Sequence, residues 1–138
     1  MPYLFDTDAL SEMLRPRPLA RYLDWVRTLP REEQFTSAVV IGELYKGACR
    51  SAHRDRHLAQ IDQRVLPAVT VLPYDVATAR SFGEISARLE KSGTPLQDAD
   101  LQIAATALHH GLELVTGNVR HFERVEGLRI HRALADAR

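Results

Sequence analysis

Short apolar runs alternate along the chain with longer segments in which apolar residues recur every three or four positions. The short runs predict strands, and the longer segments predict amphipathic helices. Strands that alternate with helices are typical of a parallel sheet covered on both faces, so an α/β fold is expected. The predicted strands are residues 2–5, 34–36, 69–72, 112–115 and 128–131.

Capping signals mark where several helices begin. Ser37 and Asp75 precede apolar-periodic segments and are predicted N-caps. The segment 94–97, Thr-Pro-Leu-Gln, fits a capping box, with Thr94 as the N-cap of a helix that stops at Gly111. The predicted helices are one that ends before Pro16, then residues 19–29, 38–49, 53–66, 76–92 and 95–110.

Composition describes an ordinary globular chain. Its 138 residues predict a single domain, 1–138, and 45% of them are hydrophobic. Cys49 is the single cysteine, which excludes a disulfide framework. The sequence has neither an apolar run of membrane-spanning length nor a signal peptide, so a cytoplasmic protein is expected.

The charge is balanced overall but uneven in type. A net charge of zero argues against a uniformly basic nucleic-acid binder. Arginine supplies 16 of the 18 basic residues, and arginine binds phosphates in a bidentate manner that lysine cannot match. The bias only mildly suggests a phosphate-rich partner, because solvated helix faces are the preferred explanation for most of these residues.

Two carboxylates follow the first predicted strand, in Phe5-Asp6-Thr7-Asp8. Asp6 leaves the strand directly, where a side chain points into the crevice at the carboxyl end of a parallel sheet. It could be a helix cap, a phosphoryl nucleophile or a metal ligand, and it is the better functional candidate of the pair. Asp8 is interpreted as a cap or as a residue that supports Asp6.

Glu43 is the one charge in the apolar run 38–45. A carboxylate at the border of an apolar helix face is unfavourable unless it is paired or bound to a metal. The alternative is an ion pair with Lys46, worth only a few tenths of a kcal/mol.

Asp98 and Asp100 begin the predicted helix that stops at Gly111. Two positions apart on a helix, they point about 200° from one another and cannot face one pocket together. Asp100 precedes a stretch of small residues that can lie close to the sheet, so it is the candidate site residue. Asp98 is the spare candidate, to be considered only if Asp100 does not face the site.

Thr116 and Asn118 follow the fourth predicted strand and offer oxygen atoms at the same sheet edge. Carboxylates gathered there would repel one another unless a cation joined them. Oxygen ligands suit Mg²⁺ or Mn²⁺, which can activate water for the hydrolysis of a phosphodiester. The candidate set is Asp6, Glu43, Asp100 and Asn118.

Four stretches of the chain together resemble PIN-domain ribonucleases, and among them the VapC-type toxins of bacterial toxin–antitoxin pairs. The order and spacing agree from residue 3 to about residue 131. The matching stretches are 4–8 (LFDTD), 36–44 (TSAVVIGEL), 100–107 (DLQIAATA) and 114–122 (LVTGNVRHF).

The resemblance implies a three-layer α/β/α domain with a parallel sheet of four to five strands. It also implies an RNA-cleaving Mg²⁺ or Mn²⁺ site, with Asp6, Glu43 and Asp100 as metal ligands and Asn118 at a fourth polar position. Asn118 is neutral and a poorer ligand than the aspartate found there in many members, which argues against a stable second metal. The implied partners are RNA and a cognate antitoxin, in a homodimer or a hetero-oligomer, with no membrane. Thr116 would position water or substrate, and Arg120 would contact the RNA backbone.

Two other functions remain open from the residues alone. Asp6-Thr7-Asp8 also resembles the start of a haloacid-dehalogenase-like phosphatase, but that family has Thr or Val where Leu10 stands and has no use for Glu43. A PIN-like subunit that binds nucleic acid without cutting it is the second alternative, because Asn118 weakens the acidic set.

Overall fold

The computed structural model describes residues 2–138, which form one five-stranded sheet with helices packed on both of its faces. Every pairing is parallel, and the strand order is β3-β2-β1-β4-β5. The predicted α/β fold is therefore confirmed. The strands are β1 Tyr3–Phe5, β2 Gln34–Ser37, β3 Thr70–Leu72, β4 Glu113–Val115 and β5 Ile130–His131.

Eight α-helices connect and cover these strands within residues 2–138. A 3₁₀ turn at Arg31–Glu33 precedes β2, and a π-helical turn covers Ile61–Val65. The helices are α1 Thr7–Leu14, α2 Ala20–Arg27, α3 Ala38–Arg50, α4 Arg54–Gln60, α5 Val76–Lys91, α6 Asp98–His110, α7 Val119–Phe122 and α8 Ala133–Ala137. None of them has both the length and the apolar character that a membrane crossing requires.

The neighbouring strands β1 and β4 each carry two fully buried apolar side chains. Leu4 and Phe5 of β1 are fully buried, as are Leu114 and Val115 of β4. From β1 the chain builds the sheet outward through β2 and β3, and it then returns to the other side of β1 to add β4 and β5. This reversal between β1 and β4 is a topological switch point, where α/β folds leave a crevice at the carboxyl ends of the strands.

Two predicted helix caps are confirmed. Ser37 Oγ accepts a hydrogen bond from the Val40 N–H at 3.1 Å, and Asp75 Oδ1 accepts one from the Thr78 N–H at 2.9 Å. Gly111 ends α6 in the left-handed conformation with φ 66°, where a side chain would be strained.

The predicted capping box at Thr94 is wrong. Helix α6 begins at Asp98 after Gln97, three residues later than a Thr94 cap requires. The Thr94 N–H bonds to the Leu89 carbonyl at 2.9 Å, and it is thus used to end α5 after Gly93, which has φ 72°. A capping box would need this N–H for the Gln97 side chain, and the end of α5 has already taken it.

The single helix predicted over residues 53–66 is also wrong in detail. Regular helix covers only Arg54–Gln60, and the π turn Ile61–Val65 replaces its second half. The turn leaves Ile61 and Val65 buried while Arg64 projects outward. Periodicity did not distinguish the two helix types because both keep these apolar residues on the inner side.

An aromatic cluster packs α2 against one face of the sheet. Trp25 stacks on His131 with ring centroids 4.2 Å apart, and Tyr3 meets both rings edge-on. The contact couples α2 to β5 and to the α8 segment that follows it, with which α2 also packs.

Candidate active site

Asp6 and Thr116 come together because their strands are neighbours in register. Phe5 of β1 lies opposite Val115 of β4, so the next residue of each chain segment emerges at the switch point. The Asp6 N–H donates to the Val115 carbonyl at 3.1 Å, and the Asp6 side chain is hydrogen-bonded to that of Thr116. Both residues are buried, with Asp6 only 5% exposed.

Asp6 is the N-cap of α1. Its Oδ1 accepts a hydrogen bond from the Ala9 N–H at 2.8 Å. The interpretation of Asp8 as the cap is therefore wrong, since Asp8 lies within the first turn. Burial raises the pKa of Asp6 to about 7, and the nearby charges of Asp8 and Asp100 act in the same direction, while hydrogen bonds from Thr116 and Ala9 oppose them.

Glu43 reaches from α3 across to α1. Its Oε1 accepts a hydrogen bond from Thr7 Oγ1 at 2.5 Å, which links the second turn of α3 to the first residue of α1. The contact directs the carboxylate toward the pocket beside Asp6 rather than along α3 toward Lys46. The Ser37 cap sets where α3 begins and so fixes the turn on which Glu43 lies.

Asp100 faces the same pocket from α6, and Asp98 does not. Asp100 Oδ2 lies 2.7 Å from His121 Nε2, and the two side chains are 30% and 24% exposed. Asp98 is exposed and is absent from the pocket lining. His121 was missed from the candidate set, although its position three residues after Asn118 places it on the same side of a helical turn.

The loop after β4 supplies Thr116 and Asn118. Thr116 Oγ1 accepts a hydrogen bond from the Asn118 N–H at 3.0 Å, which shapes the turn between β4 and α7. Asn118 is exposed and lines the pocket. Arg120 is also exposed, but it does not line this pocket.

The pocket is a cavity of 260 Å³, and we call it the carboxylate pocket. Its oxygen donors fit Mg²⁺ or Mn²⁺ in kind. Among residues 2–138, however, no three Asp, Glu, His or Cys side chains form a ready-made metal cluster, and each pocket carboxylate already has a hydrogen-bonding partner. The lining residues are Asp6, Thr7, Asp8, Glu43, Asp100, Ile103, Asn118 and Phe122.

Arg138 binds the fourth carboxylate of the pocket, a contact that the sequence did not reveal. Its two terminal nitrogens donate to the two oxygens of Asp8 at 2.8 and 2.7 Å. These hydrogen bonds raise the pKa of Arg138 from its already high ordinary value. The partners are separated by 130 positions in the sequence, so no local pattern could have paired them.

Two grooves continue from the carboxylate pocket along α1. The first, an apolar groove of 440 Å³, shares Thr7 and Glu43 with the pocket. The second, which we call the arginine groove, measures 590 Å³ and shares Arg15 and His57 with the apolar groove. Its charged lining residues are Arg15, Arg27, Arg56 and Arg64, with no carboxylate among them.

Comparisons with known proteins agree with this architecture. The PIN domain family model matches residues 3–128. The chain is 35% identical over 129 residues to Ribonuclease VapC2 of Haemophilus influenzae, covering 94% of this chain and 96% of that protein. It is 39% identical over 130 residues to the tRNA(fMet)-specific endonuclease VapC of Salmonella typhimurium, with the same two coverages. The crystal structure of DNA-bound VapBC from Salmonella typhimurium superposes with a TM-score of 0.87 at 31% identity, covering 95% of this chain and 97% of that one.

Proposed function

This chain belongs to the PIN domain family, and from that premise we propose that it is a Mg²⁺- or Mn²⁺-dependent endoribonuclease, the toxin of a toxin–antitoxin pair. One observation carries the proposal: Asp6, Glu43, Asp100 and Asn118 come from four separate segments and line one pocket at the switch point of the sheet. Such a concentration of carboxylates is unfavourable in an empty pocket and useful around a cation.

Asp6, Glu43 and Asp100 are the residues that would hold the ion. A bound Mg²⁺ or Mn²⁺ would supply an activated water and neutralise charge that develops on the phosphate. The raised pKa of Asp6 supports this role, since a carboxylate that is costly to ionise in isolation gains most from a cation.

The remaining pocket residues orient these ligands and the substrate. Thr7 holds the Glu43 carboxylate, and Thr116 bonds the Asp6 side chain from below the pocket. The Asn118 amide, exposed at the rim, offers an N–H₂ donor to a phosphate oxygen or a water. Thr116 Oγ1 also accepts a hydrogen bond from the Asn118 N–H, and this bond fixes the backbone from which Asn118 projects.

RNA must be held by cations elsewhere, because the carboxylate pocket repels a polyanion. The arginine groove meets this need, since it joins the pocket through the apolar groove and contains four arginines. The Salmonella relative is named for cleavage of tRNA(fMet), which supports a structured RNA as the substrate class. Arg120 stays a predicted backbone contact outside the pocket.

A cognate antitoxin is the proposed protein partner. The Salmonella neighbour was solved as a VapBC assembly, and this chain matches 97% of the aligned chain. An antitoxin would inhibit by entering the grooves along α1 or by pairing with the pocket carboxylates. A homodimer or a hetero-oligomer with the antitoxin is the proposed assembly.

The phosphatase alternative fits the site less well. Its general acid would be Asp8, yet both oxygens of that carboxylate accept hydrogen bonds from Arg138 and are turned to that partner. Its nucleophile would be Asp6, which is 5% exposed and already caps α1.

The test is RNA cleavage by protein stripped of metal with EDTA and then titrated with Mn²⁺. We expect no cleavage before the addition and recovery after it, with Ca²⁺ as a control that binds oxygen ligands but differs in geometry. Cleavage at full rate in EDTA would refute the metal dependence. Metal-replete protein that binds RNA without cutting it would favour the nucleic-acid-binding subunit instead.

A further inference from the structure

We propose that Arg138 is a positioning residue, which holds Asp8 away from the cation so that Asp6, Glu43 and Asp100 alone serve as its ligands. The inference rests on the proposed metal-dependent function. It concerns a residue outside the lining of the carboxylate pocket, at 38% side-chain exposure.

The pairing is bidentate and occupies the whole Asp8 carboxylate. Nη1 lies 2.8 Å from Oδ2, and Nη2 lies 2.7 Å from Oδ1. Parallel N–H···O⁻ bonds of this kind are the strong form of an arginine–carboxylate contact. Since arginine stays protonated, a cation could use Asp8 only by displacing a permanent positive charge.

Asp8 differs in this respect from the other pocket carboxylates. Asp6 and Glu43 accept hydrogen bonds from neutral donors, Ala9 N–H and Thr7 Oγ1. Asp100 meets a histidine through one oxygen only. Asp8 is thus the one pocket carboxylate, among residues 2–138, whose two oxygens are both bound by an arginine.

A buried acid one turn further along α1 also contacts Arg138. Glu12 is 2% exposed, and its Oε1 lies 3.6 Å from Arg138 Nη2. Its Oε2 accepts a hydrogen bond from the Leu19 N–H at 3.1 Å, which fixes the carboxylate within the turn after α1. Arg138 is therefore held between two acids of one helix, and its direction is set independently of any bound ion.

Gly117 links the pair to the loop that carries Asn118. A Cβ at position 117 would collide with Arg138 Nη1 and Asp8 Oδ2, so the backbone lies directly against the ion pair. Gly117 has no positive φ, so a side chain there would act by displacing the ion pair and not by straining the backbone. Movement of the Arg138–Asp8 pair would therefore also shift Gly117 and its neighbours Thr116 and Asn118.

The experiment is calorimetric titration of Mn²⁺ into the full chain, in wild type, Arg138→Gln, Asp8→Asn and the double variant. Arg138→Gln frees a carboxylate at the pocket, and we expect Mn²⁺ affinity to rise about tenfold or a second Mn²⁺ equivalent to appear. Adding Asp8→Asn should return the isotherm to that of wild type, and Asp8→Asn alone should change it less than about twofold. Arg132→Gln is the matched control, because Arg132 is exposed on the same segment and pairs with Asp136.

Unchanged Mn²⁺ binding in Arg138→Gln would overturn the inference. So would a tenfold loss of affinity in Asp8→Asn alone, a variant that keeps the shape of the side chain and would then identify Asp8 as a ligand. These outcomes differ from failure of the proposed function, in which the wild-type chain itself would bind no Mn²⁺.

Discussion

The carboxylate pocket and the arginine groove are connected, yet they carry opposite charge. Four carboxylates and no arginine or lysine line the pocket, whereas four arginines and no carboxylate line the groove. An enzyme that cuts a polyanion needs both, because the groups that gather a cation also repel the substrate. Under the proposed function, the difference would separate RNA binding from RNA cleavage along one path over the surface.

The two regions also differ in how the fold makes them. The pocket forms where parallel strands end, so backbone register alone places Asp6 beside Thr116. The arginine groove lies between α1, the loop that follows it, α2, and α4 with its π turn. Its arginines therefore come together through the packing of helices and not through backbone register.

Loss of a pocket ligand is expected to have the largest effect. Asp100→Asn should reduce Mn²⁺-dependent RNA cleavage by more than the roughly 100-fold that loss of an outer partner of a metal ligand costs. Asp98→Asn is the matched control, since Asp98 is exposed on the same turn of α6 and lies outside the pocket. Equal activity of Asp100→Asn and wild type would remove Asp100 from the site.

The ionisation of Asp6 should make the free energy of unfolding of the metal-free chain depend on pH. Asp6 has a pKa of about 7 in the fold against 3.8 ordinarily, so between these pH values the folded chain binds more protons than the unfolded chain. The stabilisation is complete below pH 3.8 and is lost as pH rises through 7, at about 1.4 kcal/mol per pH unit.

Asp6→Asn isolates this effect because asparagine caps a helix as well as aspartate does. In metal-free buffer, the variant should be more stable than wild type by a few kcal/mol at pH 8 and nearly equal to it at pH 4. Urea unfolding at the two pH values measures the difference. A variant that is less stable than wild type at pH 8 would contradict the raised pKa.

Removing charge from the arginine groove should weaken binding without touching the chemistry. In an Asp100→Asn background, Arg56→Ala with Arg64→Ala should lower RNA affinity about tenfold, because each exposed charge contact contributes up to about 1 kcal/mol. The slope of log affinity against log salt should fall by about 0.7 for each lost phosphate contact. Arg80→Ala is the control, since Arg80 is exposed on α5, away from the groove.

If RNA affinity and salt slope stay unchanged in the double variant, RNA does not follow the arginine groove. Loss of antitoxin binding in the same variant would then assign the groove to the protein partner.

Arg120→Ala is expected to have the smallest effect. Arg120 is exposed and lies outside the pocket lining, so one screened phosphate contact should change RNA affinity by only about two- to threefold. Filter binding at two salt concentrations measures it in the Asp100→Asn background. An effect as large as that of the arginine groove would move the RNA path toward α7.

The sequence predicted the sheet and the four pocket residues because both depend on local signals. Apolar runs define the strands, and carboxylates that follow a strand or interrupt an apolar helix stand out along the chain. Ser37 and Asp75 were recognised as caps for the same reason, since a cap and its helix are adjacent in sequence.

The failures have equally physical causes. Thr94 carries the signature of a cap, but the backbone that closes α5 had already used its N–H. Arg138 and Asp8 meet only after α8 has docked, and the arginine groove exists only once α4 lies against the turn after α1. Contacts between distant segments leave no periodic trace in the sequence.

The stack of Trp25 on His131 provides an optical reporter within the chain. Trp25 is the single tryptophan, so its fluorescence arises from one place, the contact of α2 with β5. A neighbouring imidazole quenches indole emission by an amount that depends on ring separation, and the segment that follows His131 leads through α8 to Arg138. Detachment of that segment would therefore brighten and shift the tryptophan emission. The fluorescence of the unlabelled protein would thus show whether the segment that carries Arg138 is still docked.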